Sequence, residues 1–402
     1  MQTANAVAAA KTRPKRRLRK VRLAMFILFV LVVIGGGFLY LTPPGKQLRE
    51  FLAETVITTQ HRDWAWIFVG KARRDEMINQ LMNDREEKAK DKLNPSLIHT
   101  PKRRTMNELI KVEDVSGKYY QGKMMTVYDP KSIRVVVPDK QGEGERITDM
   151  VKRTGAVAGL NGGGFNDPDG LGNGFAPIGM VMSDTKVLFT DVDGSVPQHI
   201  VGFTRDGTFI VGKYTLDELR KLNVSEAVSF YPRTIVNGKA LITSGDGGWG
   251  RAPRTAVGQK ADGSVVFIVI DGRQKSSIGA TLREVQDMML AQGVINGGFL
   301  DGGASSELVV GNELVTHPSS RYGERRLPSA FLIFDNPKSV VVKSPWDGLA
   351  VIDPGGAATH PEYQAELKQK EAAAASTKEK AKHGAGNGGK NASVTADKRQ
   401  QK

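Results

Sequence analysis

Cysteine is absent from all 402 residues, which excludes disulfides, thiolate chemistry and cysteine-ligated metal sites. A disulfide-free chain suits either a cytosolic or an extracytoplasmic bacterial setting. Histidine is nearly as scarce. The six present form no zinc-like cluster, and His199 and His317 stand alone in turn regions, where a structural role is the plainer reading. No G-x-S-x-G elbow marks a serine hydrolase, and no G-x-x-x-x-G-K-[ST] loop marks a P-loop nucleotide site. Acidic residues are too few to balance the basic ones, and the formal charge is +14. Nucleic-acid binding would need that excess on a folded face. Here eight Lys/Arg lie within residues 11–22, a second Lys-rich tract fills the C-terminal tail, and the middle is more balanced. No specific nucleic-acid partner is expected.

The charge at the N-terminus has a different use. Residues 1–22 form a basic segment, expected to be disordered over 1–10. They precede an uncharged run of nineteen residues, 23–41, LAMFILFVLVVIGGGFLYL. A helix of that length, at about 1.5 Å per residue, crosses a hydrocarbon layer of roughly 30 Å. With the basic cluster on the N-terminal side only, the N-terminus is expected in the cytoplasm and the remainder outside, with lipid contacts along 23–41. A cleaved signal peptide is the rival reading. The run is long for that, and Leu41-Thr42-Pro43-Pro44 lacks a small-x-small cleavage site.

Residues 42–106 read as a charged, helix-permissive linker or stalk, apolar around Trp64 and Trp66. Residues 107–342 read as the compact domain. Short aromatic and β-branched runs bounded by Gly, Asp or Pro predict strands, among them SIRVVVP, HIVGFT, TFIVGKY, SVVFIVIDGRQ and SAFLIF. Asp206-Gly207 and Asp262-Gly263 are hairpin turns. Thr215 with Glu218, and Thr281 with Glu284, carry the capping-box spacing of helix starts. The second helix, near 280–292, should bury Leu282, Val285, Met289 and Leu290. The fold class is thus α+β: extensive β-sheet with a few packing helices, preceded by one transmembrane helix. Residues 343–402 turn from Gly/Pro-rich to a basic tail expected to be disordered, apart from a transient helix near 366–380.

Polar residues gather beside glycines at the ends of the predicted strands. The densest run is VINGGFLDGGASSELVV, 294–310, with Asp301, Ser305 and Ser306; GLNGGGFNDPDG, 159–170, with Asn161, is punctuated alike. So many small residues around one carboxylate suit a polar pocket wall, where backbone can approach a ligand, better than a core. Arg233, Arg254 and Arg273 sit at comparable junctions and could clamp a phosphate or carboxylate bidentately. Asp271 and Asp301 could supply nucleophilic or acid–base functions in glycosyl transfer or hydrolysis, and the sequence does not separate inverting from retaining chemistry. The loop NDPDGLGN, 166–173, offers oxygen ligands to a divalent cation such as calcium, without EF-hand spacing or a closing glutamate.

Seven ordered motifs make the central region recognisable: GLNGGGFNDPDG, PIGMVMSDTKV, FYPRTIVNGK, APRTAVGQ, VIDGRQKSSIGATLREVQDMML, LDGGASSELV and SSRYGERRLPSAF. Over roughly 112–334 the chain resembles the phosphodiester glycosidase family, especially its membrane-anchored bacterial branch linked to exopolysaccharide biosynthesis. The resemblance implies a mixed α/β domain with a glycosyl-phosphodiester cleft. It also implies polar roles for Asn161, Arg233, Arg254, Asp271, Arg273, Asp301 and Ser305 or Ser306. The family commonly has Asn where this chain has Phe299, and Met where it has Leu308.

The expected function is hydrolysis, or transfer, of a sugar linked through a phosphodiester in an extracytoplasmic glycan or cell-wall polymer. In that reading Arg233, Arg254 and Arg273 bind phosphate, Asp301 and Asp271 are the catalytic carboxylates, and Asn161 with Ser305 or Ser306 positions substrate. The alternative is a non-enzymatic glycan-binding or envelope-assembly protein that uses the same anionic-ligand pocket.

Overall fold

The computed structural model describes residues 13–59, 61–100 and 108–386. The expected disorder at 1–10 and in the last residues of the tail lies outside them. The chain divides into two compact units, Met1–Asp84 with Gly248–Gly250, and Arg85–Gly247 with Arg251–Lys402.

The first unit is helical. Helix α1 (Arg13–Leu41) contains a 20-residue stretch, Arg22–Leu41, with mean hydropathy 2.6 and none of its window buried. It is long and apolar enough to cross a membrane, a property that secretion signals share. Helix α2 (Pro43–Ile57) starts where Thr42 accepts a hydrogen bond from Gly45 N, with prolines in its first turn. A short α3 (Trp66–Val69) and α4 (Lys71–Lys88) follow. Ala53, Ile57, Ala65 and Met77 form the small core of this unit, while Trp64 and Trp66 are exposed.

The second unit begins its sheets with β1 (Ile110–Ser116), β2 (Gln121–Val127) and β3 (Ile133–Val136). Helix α5 (Ile147–Thr154) leads to β4 (Ala158–Asn161), then β5 (Met180–Ser183), β6 (Lys186–Thr190), β7 (Gln198–Thr204) and β8 (Phe209–Tyr214). After α6 (Leu216–Lys221) come β9 (Val224–Ser229), β10 (Arg233–Val236), β11 (Lys239–Ala240), β12 (Arg254–Lys260) and β13 (Val265–Ile270). Helix α7 (Leu282–Ala291) precedes β14 (Val294–Phe299), β15 (Leu308–Val310), β16 (Glu313–Leu314) and β17 (Ala330–Ile333). Helix α8 (Pro361–Gly386) closes the described chain and is longer than the transient segment the sequence suggests.

The strands form three antiparallel sheets. Their orders are β1-β2-β13-β12-β14-β10-β11, β16-β15-β4-β17-β3 and β6-β5-β9-β7-β8. The fold is α+β, as expected. β13, VVFIVI, is buried at every position, which explains why its run is continuously apolar where a half-exposed strand would alternate. Its Val265, Phe267 and Val269 join a core to which all three sheets contribute: Phe203 and Phe209 come from the third sheet and Phe331 from the second. Ring centroids in this cluster are 5.3 to 6.3 Å apart. Both capping boxes form. On α7, Leu282, Val285 and Met289 are buried as the periodicity predicts, but Gln286 takes the remaining place instead of Leu290. Gln286 bonds both the N–H and the carbonyl of Ile242, which satisfies a buried backbone segment that leucine could not.

Candidate active site

Four of the predicted residues fall on one edge of the seven-stranded sheet, because neighbouring strands run antiparallel. Arg233 and Arg254 open β10 and β12, while Asp271 and Asp301 follow β13 and β14; the register pairs Arg254 with Ile270, Ala256 with Phe299 and Arg233 with Gly298. Sharing an edge does not make them share a site, since each side chain is then directed by its own packing.

Asp301 sits where two sheets join. Its N–H donates to Gly162 O at 3.1 Å and its carbonyl accepts from Asn161 Nδ2 at 2.6 Å. Asn161, the last residue of β4, is completely buried. Its Oδ1 accepts from the Thr255 hydroxyl at 2.8 Å and from Glu307 N at 3.2 Å. With both ends of its amide engaged, Asn161 fixes the backbone of the Asp301 loop and has no group turned toward a ligand. Phe299, two residues earlier, is buried in the core.

The half-buried Asp301 carboxylate accepts from Gly302 N at 2.9 Å and from the Ser305 hydroxyl. Burial pushes its pKa up to about 6, and Asp167 adds to the shift, against the opposing effects of Ser305, Arg325 and Gly302. Arg325 is one cation of the site. Its Nη1 reaches Ser305 Oγ at 3.3 Å and its Nη2 reaches Asp167 at 3.2 Å and Gly170 O at 3.2 Å. Arg273 lies against the same loop. Gly303, whose φ is +63°, suits the turn, and a Cβ there would lie 3.3 Å from the Arg273 guanidinium. Burial of that guanidinium first, and the charge of Arg325 second, hold the Arg273 pKa below the ordinary value, with Asp301 opposing, while the rest of the residue is exposed. Buried Arg254 donates to Ala280 O at 3.2 Å, and burial followed by the neighbouring charge of Arg273 pushes its pKa down to about 9.

Three predicted residues behave differently. Asp271 is committed to His317, accepting from its N–H at 2.8 Å and meeting its Nδ1 at 2.8 Å, so its carboxylate braces a loop. Arg233 turns away from Asp301: Nη1 donates to Val211 O at 3.3 Å and Nε donates to Lys88 O. Ser306 is buried, and its hydroxyl has no partner among the described residues. The carboxylates of the loop 166–173 are engaged as well, Asp167 buried and Asp169 at the surface. Asp167 accepts from Gly172 N and pairs with Arg325, and Asp169 accepts from Ala357 N. Among the described residues no group of three His, Cys, Asp or Glu side chains converges in a metal-binding arrangement.

In the sequence Asp167 and Arg325 stand among the polar residues beside glycines without an assigned role, and Glu307 is not among the candidates. Arg325 lies in GERRLP, where nothing distinguishes it from Arg326 until the fold pairs one with Asp167 and the other with Glu362. Glu307 is the stronger miss. It is fully buried with the backbone N–H of Arg325 beside its carboxylate, and burial, then the charge of Glu324, raises its pKa well above the ordinary value. A carboxylate between Ser306 and the apolar strand Leu308–Val310 was the available signal.

The cluster is thus a carboxylic acid whose pKa burial raises to about 6, accompanied by two guanidinium groups and a hydroxyl, on a loop of small residues. Such a set can donate a proton and stabilise an anionic oxygen. Residues 154–334 match the family model described as phosphodiester glycosidase. An uncharacterized SPbeta prophage-derived protein of Bacillus subtilis (strain 168) is 30% identical over 183 residues, 44% of this chain and 27% of that protein. The N-acetylglucosamine-1-phosphodiester alpha-N-acetylglucosaminidase of Mus musculus is 27% identical over 249 residues, 56% of this chain and 46% of that protein. Against the catalytic domain of the zebrafish enzyme of that name, solved in a form auto-inhibited by its pro-peptide, the TM-score is 0.47 at 22% identity, covering 58% of this chain and 85% of that one. The chain spans less than half the length of the curated relatives it matches.

Proposed function

We propose that the central domain, which matches the phosphodiester glycosidase family, hydrolyses a sugar joined to its carrier through a phosphodiester. The observation that carries this reading is Asp301, its pKa raised to about 6 by burial, within reach of the charges of Arg325 and Arg273. When the bond between the anomeric carbon and the phosphate oxygen breaks, its electron pair leaves with the phosphate. A water oxygen bonds to the carbon and its proton is released. The departing phosphate monoester has a second pKa of about 6, so an acid of matching pKa is suited to protonate its oxygen. Arg325 and Arg273 hold the negative charge. Ser305 orients the Asp301 carboxyl, and Asn161 holds the loop behind it. Asp271 and Arg233 are left out of the chemistry.

The exposed apolar helix at Arg22–Leu41 and the basic residues before it support an anchored protein whose N-terminus is cytoplasmic and whose glycosidase domain faces outward, toward surface polysaccharide or cell-wall polymer.

The full chain in detergent, incubated with an N-acetylglucosamine-1-phosphodiester probe and with purified envelope glycan, should release free sugar and phosphomonoester. Asp301→Asn should abolish release while keeping the circular dichroism of the parent. Full turnover by a folded Asp301→Asn protein sinks the assignment, and saturable binding without any release favours a glycan-binding protein instead.

A further inference from the structure

Beyond the apolar helix α1, the first unit exposes five more large apolar side chains close together in the chain: Leu48, Phe51, Trp64, Trp66 and Ile67. The tryptophans show the contrast. Trp64 and Trp66 are 59% and 47% exposed, whereas Trp249 and Trp346 are 8% and 5% exposed. Leu48 and Phe51 lie on the face of α2 turned away from Ala53 and Ile57, so they take no part in the small core of the unit. Single exposed apolar residues are ordinary, but a group of this size requires a surface that covers it.

Their depth identifies that surface. The apolar span ends at Leu41, and α2 begins at Pro43. The two helices meet closely: the Thr42 hydroxyl donates to Phe38 O at 2.7 Å, and a Cβ on Gly45 would collide with the same oxygen. Arg49 ties α3 to this corner. Its Nε donates to Leu39 O at 2.9 Å and its Nη1 to Phe68 O at 3.1 Å. One guanidinium thus bridges the last turn of α1 and the end of α3, which is a single turn, about 6 Å long at 1.5 Å per residue. Trp66 and Ile67 lie on that turn and Trp64 just before it. The same guanidinium lies 4.3 Å from the ring centroid of exposed Tyr40, on the last turn of the span. With α1 across a bilayer, these residues are held where its apolar run ends, beside a headgroup layer roughly 5–7 Å deep that tryptophan and tyrosine favour.

We infer that Leu48, Phe51, Trp64, Trp66 and Ile67 are a membrane-docking surface, seated in the headgroup layer at the C-terminal end of α1. The first unit then lies on the lipid surface as well as being tethered to it, and its partner is the lipid itself. Nearby basic side chains already have acidic partners, Arg73 with Glu76 at 2.8 Å and Arg74 with Asp75 at 2.7 Å, so a zwitterionic lipid suffices. The inference rests on the reading of α1 as a retained anchor and not on the proposed hydrolysis.

Tryptophan fluorescence of the full chain in phosphatidylcholine vesicles tests it, with acyl chains brominated either near the headgroup or near the bilayer centre. Bromine near the headgroup should quench emission by up to about half, the share that Trp64 and Trp66 form of the four tryptophans, and bromine at the centre should quench less. Trp64→Phe and Trp66→Phe should each remove part of the quenching, and together all of it. A chain that resists carbonate extraction but is not quenched overturns the inference and leaves the anchor standing; if its copies also cross-link through residues 48–67, a second copy covers the surface instead. Quenching undiminished in the folded double variant overturns it too. A chain that carbonate strips from the vesicles overturns the anchor and this inference with it.

Discussion

Asp301 combines a raised pKa with hydrogen bonds to both of its flanking turns, and its titration should be visible in two measurements. As a proton donor it is loaded below about pH 6, so kcat/KM on a sugar phosphodiester should be level below that pH and fall above it. A flat profile across pH 5 to 8 would contradict the acid role. Stability carries the same signature. The folded-state value is raised above the ordinary 3.8, so the group's contribution is complete below about pH 4 and is lost as pH rises through about 6. Asp301→Asn mimics the protonated form. Its melting temperature should match the parent near pH 4 and exceed it above pH 6, and an identical difference at both pH values would count against the shift. Arg325 lowers that pKa by its charge, so Arg325→Gln should move the limb of the activity profile upward as well as reduce kcat. A lower kcat with an unmoved limb would leave Arg325 with a structural role through Asp167 and Gly170. At this scale the sequence exposes residue types but not their partners. Asp271 and Asp301 look equivalent as strand-end carboxylates, and only the arrival of the His317 loop occupies one of them.

The elements that hold the site depend on local rules. Thr281 accepts from Glu284 N at 3.1 Å and Glu284 accepts from Thr281 N at 2.9 Å, and Glu284 also takes Arg251 at 2.8 Å through each carboxylate oxygen. Thr281→Ala should cost about 1 kcal/mol in urea unfolding, with the slope unchanged. A loss within error of zero would mean that Arg251 alone holds the start of α7. This helix packs behind β14, where Gly297 leaves room for Met289, so its cap supports the strand that delivers Asp301. Both capping boxes, the Asp-Gly hairpins and the buried run of β13 were legible because each is written within a few consecutive residues. The buried Gln286 on α7 was not, since its reason is a backbone segment 44 residues away.

For the molecule as a whole, one buried ion pair ties the second sheet to the third. Glu226 on β9 accepts from Arg134 Nε at 2.9 Å and from Val135 N at 2.7 Å on β3, and from Asp184 N at 3.0 Å beyond β5. Removing the carboxylate strands a buried guanidinium and a buried N–H together, so Glu226→Ala should cost roughly 3–5 kcal/mol, read as a lower urea midpoint. A cost below about 1 kcal/mol would show that the apolar contacts of the three sheets alone fix their packing. By itself, the sequence determined the α+β class, the apolar N-terminal helix, the helix caps and the glycine loops around Asp301, because these depend on short-range periodicity, turn chemistry and length. Tertiary structure alone decided which charged groups share a site. It brought the charges of Asp301, Arg325 and Arg273 together, gave Asp271 to His317, turned Arg233 to the carbonyls of Val211 and Lys88 and buried the Glu307 carboxylate. A side chain's charge is fixed by its identity, but its partner and its desolvation are set by strands that are distant in the chain and adjacent only after folding.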